Sequence, residues 1–413
     1  MQSMKTTSVT DPKSRKRPRR VAGEATIGER LGPVLMLTFI FFMHFVVRQV
    51  SGPLLPAMEA DIGLRHTQSG LFILFTGIGF CASQFSAAFL AARWGYRRCI
   101  LASIWGAAAA AFALGMLTSV WALYLGFLAL GMAGGLYVPS GIALITVFTR
   151  PNDWGKAMGI HELAPNLALI SVPFLATLAV SVGSWRQGYL LLAAVLFVLG
   201  GVYQWRGVDA AENPPLPNPS KIFHIAANPR FWSLGLLLSL AVGVETGVYA
   251  MIPLVLVNER AFDLADANRL LGLSRIPSVF LVLFSGWLTD RVSPSTTLCL
   301  ALGVTGSAVV CLGIGPDNLV GPAVFVQAAA SACLFPPILS MASHISTAEN
   351  RALALSLSLA IAPVVGGGLL PAGIAFAGDL GSFRIGLAAA GVLVAAGIGL
   401  VVWMKKEGSG GAL

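Results

Sequence analysis

Charged side chains are scarce: Asp, Glu, Lys and Arg make up 11% of the 413 residues, against about 25% in an ordinary soluble domain. With 56% of the chain hydrophobic, too little polar surface remains to cover a water-soluble globule. Cysteine is sparse too. Cys81, Cys99, Cys299, Cys311 and Cys333 lie within or at the ends of apolar runs, with no C-x-x-C spacing and no neighbouring His, which argues for small buried residues and against a disulfide framework or a metal site. The chain has no H-E-x-x-H, no P-loop and no nucleophile elbow, and no polar stretch long enough to hold a cofactor, so neither an enzyme nor a cofactor is expected. No small-residue cleavage site follows a short apolar core, so no removable signal peptide is expected. A receptor is disfavoured because no signalling module is appended.

What the chain does have is apolar runs of about 20 residues, the length a helix needs to cross about 30 Å of hydrocarbon. Twelve such spans are expected, at 31–50, 69–92, 99–117, 121–148, 157–182, 187–205, 231–257, 270–288, 297–314, 319–342, 352–377 and 385–404. Between the sixth and seventh lies Glu212-Asn-Pro-Pro-Leu-Pro-Asn-Pro219, whose proline density cannot continue a helix. The expected organisation is a disordered basic arm (1–30), a six-helix bundle (31–205), a Pro-rich linker (206–230), a second bundle (231–404) and a tail (405–413). The net charge of +9 does not imply nucleic acid. Its densest cluster, Lys13, Arg15, Lys16, Arg17, Arg19 and Arg20, precedes the first span, and most of the 27 Lys and Arg fall on the same side of the membrane as that arm. By the positive-inside rule both termini are cytoplasmic in a plasma (bacterial inner) membrane. Trp94, Trp121, Trp154, Trp185, Trp205, Trp232, Trp287 and Trp403 fall near span ends, as an interfacial belt requires.

Sliding the chain against itself by 198 residues reveals a repeat. Pro139 falls on Pro337, Pro165 on Pro363 and Pro173 on Pro371, while Gly183-Ser-Trp-Arg-Gln-Gly188 falls on Gly381-Ser-Phe-Arg-Ile-Gly386. Two halves therefore share one plan, with bends permitted at matching places. Gly286-Trp-Leu-Thr-Asp290-Arg291 ends the eighth span, and the same offset in the first half gives Ala88-Phe-Leu-Ala-Ala92-Arg93-Trp-Gly95-Tyr-Arg97-Arg98. These stretches resemble the G-x-L-A-D-R-x-G-R-K signature of the major facilitator superfamily, and span number, repeat and linker extend the resemblance over the whole chain. It implies an all-α membrane protein with twelve transmembrane helices in two pseudo-symmetric six-helix bundles, working by alternating access. It also implies a cytoplasmic gate built from Gly286, Asp290, Arg291, Arg93, Gly95 and Arg97. Gly286 would allow close helix approach, and Asp290 would latch onto the start of the fifth span near Trp154 to Lys156. Because Ala92 replaces the signature aspartate, the first half's latch is expected to be the weaker one. The fifth span, Gly159-Ile-His-Glu-Leu-Ala-Pro-Asn-Leu-Ala168, does not match the motif of drug and proton antiporters.

An ionisable group at mid-membrane costs a few kcal/mol, so each is a candidate functional residue. Arg48 lies in the first span, Glu245 in the seventh and Arg275 in the eighth, at comparable expected depth in the outer part of the membrane. A single cavity holding all three would carry net charge +1 and favour an anion. The stretch around Arg48 resembles the organic-anion symporter branch of the superfamily, where an Asp-Arg pair occupies this place, but here Val47 replaces the aspartate. Helical spacing adds His44 beside Arg48 and Tyr249 beside Glu245. His161, Glu162 and Asn166 open the fifth span as a possible inner gate or proton relay, and Tyr137, Gln84 and Ser140 are further polar candidates. The expected substrate-binding set is Arg48, Arg275, His44, Tyr249, Tyr137 and Asn166, and the proton-coupling set is Glu245, Glu162 and His161. Competing structural roles are snorkelling of the arginines, a purely structural Glu245 ion pair, packing for Tyr249, a backbone hydrogen bond for His44, and a helix-end network for His161 and Glu162.

These residues favour proton-linked transport of a small organic anion such as a carboxylate, by a monomer in the lipid bilayer with no nucleic-acid partner. The alternatives are proton-coupled efflux of amphipathic or cationic compounds, with Glu245 as the cation partner, and a non-transporting membrane receptor.

Overall fold

The computed structural model describes residues 27–210, 213–216, 227, 229–345 and 357–409. The basic cluster of the arm and most of the expected linker lie outside the described residues. Twelve helices long and apolar enough to cross a membrane are found among those described: α1 (Ile27–Ile62), α2 (His66–Trp94), α3 (Tyr96–Met116), α4 (Val120–Phe148), α5 (Pro151–Val182), α6 (Trp185–Arg206), α7 (Phe231–Glu259), α8 (Leu264–Arg291), α9 (Pro294–Ile314), α10 (Asp317–Ala342), α11 (Leu357–Asp379) and α12 (Phe383–Lys406). They form two six-helix bundles. Below, the face where α1 begins is called the basic face and the opposite one the distal face.

The largest departure from the expected spans is in α1. Pro53 and Pro56 do not end it; the helix breaks at Val50 and resumes over Ser51–Ile62. Each proline deprives one carbonyl of its amide partner, a loss that neighbouring helices make tolerable inside a membrane. Arg48 therefore has helix on both sides of it. The α8 helix also breaks, at Arg275, between Leu264–Ser274 and Ile276–Arg291, just before Pro277. In α7 the turn Gly243–Val248 widens to a π-helix, and α11 does the same over Val365–Leu369. The two wide turns face each other: a Cβ at Gly366 would lie 1.7 Å from the Ser239 carbonyl oxygen, so only glycine permits this approach.

The repeat is visible atom by atom near the distal face. Ser184 caps α6 by accepting from the Gln187 amide, and Ser382 accepts from the Ile385 amide at the matching start of α12. A Cβ at Gly188 would come within 2.8 Å of Ala179 Cβ, and one at Gly386 within 2.8 Å of Ala377 Cβ, so the same glycine brings α5 to α6 and α11 to α12. An acid that sequence reasoning passed over completes each copy. Asp61 accepts from Trp185 Nε1 at 3.0 Å and pairs with Arg186, whereas Glu259, 198 residues on, accepts from the amides of Phe383 at 2.6 Å and Arg384 at 3.2 Å. Trp185 is thus a buried clamp residue (2% exposed) rather than part of an interfacial belt; Trp121 and Trp205, both 76% exposed, fit the belt.

Between the halves, close contacts gather toward the distal face. Asp379 of α11 accepts from the His66 and Thr67 amides at the start of α2, both at 2.9 Å, where the helix dipole favours a carboxylate. Asn268 of α8 donates to the Pro53 carbonyl and to Thr177 Oγ1. Gly52 lies against Ala250, where an added Cβ would be 2.6 Å from the Ala250 Cα. At the basic face the gate residues are apart. Asp290, Arg291 and Arg93 are exposed, nothing would come within 4 Å of a Cβ at Gly286, and Trp154 Nε1 donates within its own half to the Thr146 and Thr149 carbonyls. The expected close approach at Gly286 and the Asp290 latch are therefore not made in this conformation, because the halves meet at the other face. Gly95, at φ +82°, turns the chain between α2 and α3 in a conformation that strains other residues, with Asn213 donating to the neighbouring Ala92 carbonyl. Arg97 donates to the Gln204 carbonyl at 2.6 Å, within the first half.

Candidate functional site

Two of the three expected intramembrane charges meet. Arg275 Nη1 lies 2.8 Å from Glu245 Oε1, with the two side chains 2% and 12% exposed. Arg275 Nη2 also donates to the Glu245 carbonyl at 2.9 Å, and Ser331 Oγ of α10 donates to the other carboxylate oxygen. Gln327, also of α10, donates to the Val244 carbonyl at 2.8 Å. The widened turn explains this convergence: its backbone carbonyls are met by side chains from α8 and α10. Ser331 and Gln327 have no signature in the sequence, because nothing in an apolar run reveals which small polar residues face a charge. Tyr249 is fully buried beneath the pair, its ring 4.7 Å from the Arg275 guanidinium carbon, and its hydroxyl donates to the Leu169 carbonyl of α5 at 2.8 Å. It does share a face with Glu245, but its hydroxyl is engaged across the halves and is not held ready for a bound carboxylate.

Arg48 does not join that pair. Its Nε donates to the His44 carbonyl at 3.0 Å, and its guanidinium lies between the rings of Phe45 and Phe80, at 4.9 and 4.8 Å. Among the described residues no carboxylate lies within ion-pairing distance of it. Gly134 of α4 makes the room, since a Cβ there would sit 2.9 Å from Arg48 Nε. Arg48 neither snorkels nor is neutralised; it is a cation held by aromatic faces, which attract it without cancelling its charge.

A column of rings runs from Arg48 toward the basic face. His44 (1% exposed) stacks on Tyr137 at 5.2 Å and reaches Ser103 Oγ at 3.2 Å. Tyr137 donates to the Leu37 carbonyl at 2.6 Å and lies 3.2 Å from His161 Nε2. His161, fully buried and stacked on Phe41 at 4.4 Å, has Nδ1 3.4 Å from the exposed Glu162 carboxylate. The phenol has one hydrogen and gives it to Leu37, so the Tyr137 oxygen is left as the acceptor facing His161 Nε2. Asn166 stands apart, donating to the Glu162 carbonyl of its own helix at 3.1 Å.

The sequence profile described as Major Facilitator Superfamily matches residues 37–322. The chain belongs to this superfamily. It is 25% identical over 376 residues to the probable sulfoacetate transporter SauU of Cupriavidus necator, with 84% of each chain covered. Its fold is similar to that of a bacterial homologue of the human lysosomal transporter Spinster in an inward-facing, occupied conformation, at TM-score 0.77 and 15% identity, covering 93% of this chain and 98% of that one. A mutant of the nucleoside transporter NupG gives TM-score 0.74 at 14% identity, covering 89% and 99%. As a superfamily member the protein is an integral membrane transporter; of the groups just described, Tyr249 is the one that bonds across its two halves.

Proposed function

We propose that this transporter moves a small organic anion, and that Arg48 is the group that receives it. The observation that carries the reading is the state of that residue: an intramembrane guanidinium held by Phe45 and Phe80, with no carboxylate on it. A lone charge at this depth costs about 3 kcal/mol on insertion scales, and an anionic substrate is what would offset it. The second cation, Arg275, is already matched by Glu245. The likeness to a probable sulfoacetate transporter supports the same class of cargo.

Coupling to protons is part of the reading. Protonating Glu245 frees Arg275 for a second anionic group, and deprotonation restores the pair. The His44, Tyr137, His161 and Glu162 column supplies a route between Arg48 and the basic face, which we assign to the cytoplasm. The protein functions as a monomer in the plasma membrane.

Purified protein in liposomes tests this. Sulfoacetate and simple carboxylates should compete with one another for uptake, and an inward proton gradient should raise their accumulation. Competition by hydrophobic cations instead would favour drug efflux and reject the anion site.

A further inference from the structure

The Tyr249 hydroxyl reaches the one kind of backbone group most in need of a donor inside a membrane. Its acceptor, the Leu169 carbonyl, stands four residues before Pro173, which has no N–H to offer. The proline therefore breaks α5's own ladder at that carbonyl, and a side chain from the other half repairs it. The same tyrosine ring carries the Arg275 guanidinium, which pairs with Glu245. One residue thus touches the charge pair with its face and the opposite bundle with its hydroxyl. In the first half the repeat puts Ser51 at the equivalent place, and its hydroxyl is spent on the Arg48 carbonyl of its own helix. The tie is made from one side only.

We propose that Tyr249 is a positioning residue that links the state of the Glu245–Arg275 pair to closure of the distal seam. While the pair is intact the guanidinium fixes the ring, and the phenol holds α7 to α5. When the pair separates, the ring loses its cap and the tie to Leu169 weakens, which favours opening at the distal face. This rests on alternating access and not on the identity of the substrate.

The test reads seam opening directly. A cysteine placed at Thr177, whose hydroxyl faces Asn268 across the seam, is alkylated by a maleimide in lipid nanodiscs, where both faces are accessible, and rates are compared above the background of the five native cysteines. Tyr249→Phe keeps the ring and removes only the hydroxyl. It should speed alkylation about fivefold, as expected for a hydrogen bond worth about 1 kcal/mol. Pro173→Ala restores an amide to compete for the Leu169 carbonyl and should act in the same direction, which guards against a folding defect particular to one variant. Glu245→Gln should speed alkylation when Tyr249 is present and add nothing in the Tyr249→Phe background, the non-additivity of residues acting through one another. Unchanged alkylation in both single variants, or effects of Glu245→Gln and Tyr249→Phe that simply multiply, would overturn the proposal. Because the assay needs neither substrate nor gradient, its result stands apart from the anion and proton readings.

Discussion

The two halves repeat each other closely where they are clamped and differ where they are charged. At the distal ends, Asp61 with Trp185 and Arg186 matches Glu259 with Phe383 and Arg384, and the same glycine contact recurs at 2.8 Å. At mid-membrane the register instead sets Glu245 on Val47 and Thr246 on Arg48. The second half keeps the acid and supplies it with a base from α8; the first half keeps a base and supplies it with aromatic faces. Symmetry thus serves the scaffold, and asymmetry leaves one net positive charge in the middle of the protein. A scaffold interaction can be duplicated at no cost to function. A binding site cannot, because two matched charge pairs would leave nothing for the substrate to neutralise.

The sharpest way to break this comparison is to remove the unmatched charge. Arg48→Ala should lower anion affinity in direct titration by about a hundredfold or more, since a hydrogen-bonded charge pair in a desolvated site is worth several kcal/mol. Arg48→Lys should recover only part of it, because an ammonium cannot reproduce the planar fork. Wild-type affinity in the alanine variant would remove Arg48 from the site. Next in size is Glu245→Gln, which takes the acid from the matched half. Proton-driven accumulation in liposomes should be lost while exchange of internal for external anion persists; accumulation that still follows the proton gradient would exclude Glu245 as the coupling group.

Much of the architecture was legible because hydrophobic length and the 198-residue repeat are one-dimensional signals. All twelve spans, the paired prolines and the matched Gly-Ser-aromatic-Arg stretches could be read directly. Helix ends were harder. The first span is expected to stop at Val50, but inside a membrane a proline costs one hydrogen bond and leaves the helix running through Pro53 and Pro56 to Ile62. Pairing was harder still. Arg48, Glu245 and Arg275 are all expected inside the membrane, yet only two of them touch, and that pair forms at a π-helical turn packed against Gly366, which has no local signature. His161, Glu162 and Asn166 stand out as a cluster in the sequence, but the link of His161 to His44 through Tyr137 requires three helices to be in place.

A finer test of the asymmetry leaves every charge in place. Gly134→Ala would put a methyl group 2.9 Å from Arg48 Nε, so the guanidinium must shift off the Phe45 and Phe80 faces. Anion affinity should fall about tenfold, the order of 1.4 kcal/mol that a displaced cation–π and hydrogen-bonded geometry can account for, with the melting temperature little changed. An affinity equal to wild type would mean that the guanidinium does not need its present position to bind.

The smallest effect is expected at the clamps, where the halves agree. Asp61 is 47% exposed on its side chain and its pair with Arg186 is correspondingly screened, so Asp61→Asn should cost at most about 1 kcal/mol of stability. Glu259 instead accepts two backbone amides at the start of α12, an interaction that also meets the unsatisfied donors of a helix N-terminus, so Glu259→Gln should lower the melting temperature more than Asp61→Asn does. Both variants should transport with wild-type affinity for the anion, because neither clamp contacts Arg48, Glu245 or Arg275. A loss of affinity from either substitution would show that the distal clamps and the central charges are not separable, and that the repeated scaffold takes part in binding.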